Sequence, residues 1–345
     1  MIGCFSKEAY EFVDFLREAG MKIWQVLPVG PTGFGDSPYQ SFSTFAGNPY
    51  LIDLDMLIED GLLKKEEVES INWGTNPRYV DYGRIFESRF KVLQLACSRG
   101  WERDREEVEA FEKSNSRWLP DYAFFMALKR HFGMKAWTEW DDEDIRLHKP
   151  EAVRRYEELL AKDIEFFEYV QLLFFRQWEK LRAYAREKGI GIIGDIPIYV
   201  AFDSADVWSD PECFELDESN LPKRVSGCPP DYFCEDGQLW GNPVYDWEHM
   251  KNDGYGWWIR RIDGNARLYD VLRIDHFRGF ESYWAVPYGD KTARNGEWVK
   301  GPGMDLVGRL ISWFPEVEFI AEDLGYMTED VKKLLSDSGL PGMKV

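Results

Sequence analysis

Residues 269–280 read YDVLRIDHFRGF, and residues 318–325 read EFIAEDLG. Each stretch opens as an apolar run and stops abruptly in charge, at Asp275 in the first and Glu322 in the second. Runs of this length and composition predict short buried strands. Barrels of alternating strands and helices carry their chemistry at the C-terminal mouths of parallel strands. Two carboxyl groups at such mouths, on successive strands, suit a nucleophile and a proton donor facing one sugar. Taken singly, each has a blander reading. A strand-end Asp commonly caps a helix or pairs with an Arg, and Arg273 and Arg278 are close at hand. The weight lies on the pair.

Working outward, the pattern repeats. Residues 22–27 (KIWQVL) and 189–200 (GIGIIGDIPIYV) predict two more strands, the second bearing Asp195. Helices are expected at 6–19, 257–266, 304–313 and 328–338, from apolar residues at helical spacing. Strands alternating with helices imply an α/β fold with a parallel sheet. Two long irregular stretches follow strand ends, one from residue 28 and one over 201–257. Long loops inside compact domains are usually functional. Between them, 56–188 is charge-laced and helical. Its last helix carries a stripe of Phe166, Val170, Leu173, Phe174 and Trp178, which is expected to be core. The expected division is therefore a barrel portion over 1–55 and 166–345, with a mainly helical insertion over 56–165. No internal repeat or low-complexity tract interrupts it.

Composition narrows the chemistry. The chain has 345 residues and a net charge of −20. Such a surface repels phosphate backbones and anionic lipid, so neither nucleic acid nor membrane is expected as a partner. No apolar run approaches the ~20 residues that span a bilayer. The N-terminus lacks the basic-then-apolar layout of a secretory signal. The aromatic content, 15 Trp, 17 Tyr and 23 Phe, supplies core mass and also ring faces that stack on sugars. The five cysteines are irregularly spaced and contain no CxxC, which suits free thiols in a reducing, cytoplasmic setting. Cys228 and Cys234 flank PPDYF and could approach each other, without metal-clamp spacing. The four histidines include no i, i+4 pair, so a His-rich metal site is not expected. The glycines of GPTGFG lead into a polar loop and not a helix, so no phosphate loop and no cofactor is expected.

Long segments carry a resemblance. They are WQVLPVGPTGFGDSPYQSFSTFAGNPYLIDL (24–54), GIIGDIPIYVAFDSADVW (191–208), PPDYFCEDGQLWGNPVYDW (229–247), VLRIDHFRGF (271–280) and FIAEDLG (319–325). The chain resembles the 4-α-glucanotransferases, or amylomaltases, of glycoside hydrolase family 77. The resemblance implies a (β/α)8 TIM barrel of the α-amylase superfamily with helical and loop insertions. It implies Asp275 as nucleophile and Glu322 as general acid/base. Arg273 and His276 flank the reacting sugar, and Tyr39, Trp240, Asn242 and Asp323 fall among substrate contacts. Asp231 and Phe233 fall in a flap over the acceptor region, and Asp195 supports the site from its strand end. The substrates implied are maltodextrins and other α-1,4-glucans, with glucose or maltose as acceptor, and no cofactor.

The roles make physical sense. Asp275 must be ionised to attack an anomeric carbon, and a neighbouring Arg273 favours the carboxylate. Glu322 must hold a proton, and like-charge repulsion from Asp275 and Asp323 is expected to help it do so. A retaining pair needs its carboxyls about 5–5.5 Å apart. Transfer in place of hydrolysis requires excluding water, for which Tyr39, Phe233 and Trp240 offer aromatic walls.

Two departures bear on activity. The family's third acidic residue, in a THDN segment, has no counterpart in these residues, and the family's first strand and strands six to eight are expected to be missing or incomplete. The barrel is thus expected to be incomplete in this chain, with open edges, low stability and little or no turnover. Two other readings stay open: an α-glucan hydrolase of the same superfamily, and a non-catalytic glucan-binding remnant.

Overall fold

The computed structural model describes residues 3–74, 76, 78–325 and 327–344. Its centre is a four-stranded, all-parallel sheet in the order β1-β2-β5-β8: β1 is Ile23–Gln25, β2 Gly191–Pro197, β5 Val271–Asp275 and β8 Glu318–Ala321. Each predicted strand is present, shorter at its ends than the apolar run suggests. Helices Lys7–Glu18, Ala161–Glu187, Gly256–Leu268 and Met304–Trp313 precede the four strands in turn, and Glu329–Ser338 follows the last. Consecutive strands neighbour each other through helical crossovers, which is how a sector of a (β/α) barrel is built. Beyond β8, Gly342 forms a parallel bridge to Ala321, and the Ala321 N–H donates to the Pro341 carbonyl at 2.9 Å. The next sheet position is thus already occupied. On the other side, β1 pairs only with β2 among the described residues. Ile23 and Leu27 stand exposed there beside Phe12, Phe15 and Met21.

The 201–257 stretch is more regular than expected. It contains β3 (Arg224–Cys228) and β4 (Gln238–Pro243), which join β6 (Ser282–Pro287) and β7 (Glu297–Lys300) in an antiparallel sheet ordered β4-β3-β6-β7. β3 shifts register against β4 between Val225 and Gly227, so a bulge breaks the alternation that would mark both strands. In β6, Tyr283, Ala285 and Val286 are buried.

The helical stretch shares one core with the barrel sector. Buried residues run without interruption from Phe5 through Phe125, Phe174 and Trp178 to Leu272, Phe319 and Leu334. Helix Ala161–Glu187 joins the two. The expected stripe is buried, but two polar residues within it matter as much. Gln171 accepts from the Gly47 N–H (2.7 Å) and donates to the Gly47 carbonyl (2.9 Å). Gln177 does the same to Asp53, at 2.6 and 3.0 Å. Gly47 has no room for a side chain, since a Cβ there would lie 2.1 Å from the Phe174 ring. Arg89 adds bonds to the Tyr50 and Ile52 carbonyls. Buried hydrogen bonds thereby anchor the long loop after β1 at Gly47, Tyr50, Ile52 and Asp53, and that loop carries Tyr39.

Candidate active site

The register of the parallel sheet assembles the site. β5 and β8 pair from Val271↔Glu318 to Ile274↔Ala321. The ladder continues one step: the Glu322 N–H donates to the Ile274 carbonyl (3.0 Å), and the Phe277 N–H to the Glu322 carbonyl (3.2 Å). Asp275 and Glu322 therefore stand opposite each other at two adjacent strand mouths, where backbones run about 4.8 Å apart. In register, their side chains leave the sheet on the same face.

On the other flank, Asp195 pairs with Arg273 and Pro197 with Asp275 in the β2–β5 register. The Arg273 guanidinium bonds both carboxylates, Asp195 closely and Asp275 at 2.8 Å. Its Nε also donates to the Met343 sulfur at 3.0 Å. Asp195 is buried and accepts a further bond from the Tyr39 hydroxyl at 2.8 Å. Burial pushes the Asp195 carboxyl above the usual carboxylate range, and Arg273 and Tyr39 oppose that shift. Arg273 thus orients Asp275 from an anchored, partly buried position.

Glu322 is only 9% exposed. One carboxylate oxygen accepts from the His276 N–H and the other from the Leu324 N–H, both at 2.9 Å. Its proton is held more tightly than in a free glutamate. Burial is the main cause, with a smaller push from Asp275 against the two N–H donors. This corrects the sequence expectation: repulsion is secondary, and Asp323 is not among the causes. Asp323 accepts from the Met343 N–H at 2.7 Å instead, toward the neighbouring sheet position. His276 has a left-handed backbone (φ 55°), the conformation that aims its N–H at Glu322. Burial, then Arg278, lowers its imidazole to about 4, so the ring is neutral at pH 7.

An open cleft of about 390 Å³ is lined by Tyr39, Gln40, Pro197, Ile198, Tyr199, Trp240, Asn242, Asp275 and His276, while Glu322, Arg273, Asp195 and Asp323 are not part of that lining. The Trp240 and His276 rings meet edge to face at 4.8 Å. Asn242 is anchored by donating to the Val200 carbonyl (2.8 Å) and accepts from Gln40 (3.4 Å). Gln40, Ile198 and Tyr199 were not singled out by sequence reasoning, although each lies in a segment quoted above. Asp231 and Phe233 are not in the cleft lining. Asp231 accepts from the Phe233 and Cys234 N–H groups, closing its own turn, while Phe233 is 93% exposed. Among the described residues no group of three His, Cys, Asp or Glu side chains could hold a metal ion.

A carboxylate fixed by an arginine, a carboxyl of raised proton affinity on the next strand, and an aromatic-walled cleft are the working parts of glycosyl transfer. Comparison with known proteins agrees. A family model described as 4-alpha-glucanotransferase matches residues 1–345. The 4-alpha-glucanotransferase of Clostridium butyricum is 51% identical over the whole chain, which covers 71% of that protein. That of Thermus thermophilus is 48% identical, with 68% covered. The solved amylomaltase of Streptococcus agalactiae in complex with acarbose superposes with a TM-score of 0.97 at 45% identity, over the whole chain and 70% of that structure. Amylomaltase from Corynebacterium glutamicum, at 20% identity and TM-score 0.79 over 99% of the chain and 47% of that structure, shares the fold. The chain belongs to the 4-alpha-glucanotransferase family, a family of glycosyltransferases on the TIM-barrel fold.

Proposed function

We propose that the cleft transfers a segment of an α-1,4-glucan to a new 4-hydroxyl by retaining double displacement. Asp275 attacks the anomeric carbon as Glu322 protonates the departing glycosidic oxygen, leaving a glucanosyl ester on Asp275. An acceptor glucan, glucose or maltose then enters. Glu322 takes its hydroxyl proton, and the ester is exchanged for a new glycosidic bond. Arg273 holds Asp275 in line, Asp195 holds Arg273, and Tyr39 holds Asp195. The rings of Tyr39 and Trp240 take the sugar faces. The observation that carries this reading is the register that sets Asp275 and Glu322 side by side at adjacent strand mouths.

Among the described residues β1 is paired on one side only and has apolar neighbours in water. High enzyme concentration and maltotriose as sole substrate make the test sensitive. Transfer produces a ladder of shorter and longer maltodextrins that D275N does not produce. Accumulating reducing ends without longer products indicate a hydrolase, and bound maltoheptaose with no product indicates a binding remnant.

A further inference from the structure

A second cleft, of about 420 Å³, lies between residues 113–118, helix Gly256–Leu268 and the end of helix Met304–Trp313. It matches the candidate active cleft in size and shares no lining residue with it. Its floor is aromatic. Phe45 and Trp118 stack at 6.3 Å with planes 14° apart, and Phe175 lies 5.9 Å from Trp118. Gly264 leaves the room this needs, since a Cβ there would come within 2.9 Å of the Phe45 ring. Trp313 stands on the rim, 63% exposed.

The rim chemistry runs against the rest of the molecule. In a chain of net charge −20, the lining holds Lys113, Arg117, Arg260 and Arg267 against one carboxylate, Asp263. Arg267 is committed to Asp263 (3.0 Å) and the Ser114 carbonyl (3.1 Å), and Arg260 to Asp210 (3.1 Å). Among the described residues, Lys113 and Arg117 make no ion pair or side-chain hydrogen bond. Lys113 and Arg267 lie in last helical turns, where a cation offsets the helix dipole. That accounts for neither Arg117 nor the cavity. A concave, ring-floored site with a few convergent charges of one sign is the usual form of a small-ligand site, and its field gathers the opposite ion.

We propose that this cleft binds a phosphate monoester carried on a sugar ring. Lys113 and Arg117 take the phosphate oxygens, and Trp313 takes the ring face. Calorimetric titration of the 345-residue protein with glucose 1-phosphate, inorganic phosphate and glucose tests it. The ester is expected to bind tightest, inorganic phosphate more weakly and glucose least, with affinity for the first two falling as salt rises. K113A/R117A, with unchanged melting, is expected to lose at least tenfold in ester affinity. W313A is expected to weaken the ester and leave inorganic phosphate unchanged. Ester binding that survives K113A/R117A, or is no tighter than that of glucose, overturns the proposal. Equal affinity for ester and inorganic phosphate overturns the role given to the ring.

Discussion

Replacing Gln171 by leucine keeps the volume of a fully buried side chain and deletes both of its bonds to Gly47. The Gly47 N–H and carbonyl are then left in the interior without partners. The Phe174 ring sits 2.1 Å from where a Gly47 Cβ would be, so the peptide has little room to turn elsewhere. An unsatisfied buried polar group costs about 1–3 kcal/mol. Two such groups, less the relief of no longer burying the glutamine amide, give an expected loss of about 3 kcal/mol. Urea unfolding monitored by tryptophan fluorescence measures it, as a shift of midpoint at constant slope. The same change loosens the loop that brings Tyr39 to Asp195, so limited proteolysis is expected to cut within 28–53 faster than in the parent. A loss below about 1 kcal/mol, with unchanged proteolysis, refutes the idea that this amide clamps the loop.

Asp206 offers a pH test of folding. It is fully sheltered, accepts from the Thr44 N–H at 2.9 Å, and burial pushes its carboxyl up to about 7. The folded state then holds this proton more tightly than the unfolded state does. Its contribution is therefore greatest in acid and is lost as pH rises from about 4 to about 7. D206N is expected to flatten that part of the stability–pH curve and to be more stable than the parent at pH 8; an unchanged slope counts against it. Tyr39→Phe removes one donor from buried Asp195 and is expected to cost about 1–2 kcal/mol in stability and to slow glucanosyl transfer. A variant equal to the parent in both removes Tyr39 from the network. With His276 neutral down to about 4 and Glu322 shifted upward, the alkaline limb of the rate profile is assigned to Glu322. That limb is expected to vanish in E322Q when an activated glycosyl fluoride supplies its own leaving group, and its persistence points to another acid.

Most of the barrel sector was legible because parallel barrel strands read as continuous apolar runs, and the runs 269–275 and 318–322 end in register at Asp275 and Glu322. The carboxylate pair followed from those ends. The antiparallel sheet was hidden: its strands are four to six residues long, one is bulged, and Gly227, Gly241 and Pro243 look like loop punctuation. Gln171 and Gln177 were invisible for a different reason. A polar residue inside an apolar stripe gives no hint of the backbone it meets 124 positions away. The source of Glu322's raised proton affinity was misassigned because sequence shows neighbouring charges and not depth. Asp323, next along the chain, points to the other side, as alternation along an extended segment requires.

The central claim is that Asp275 carries the sugar while Glu322 manages the proton. Incubating E322Q with α-maltosyl fluoride lets glycosylation proceed without an acid and starves the second step of its base. Intact-mass spectrometry is expected to show one added maltosyl unit, which peptide mapping places on Asp275 and which D275N/E322Q never acquires. An adduct on any other residue, or equal labelling of the double variant, contradicts the account.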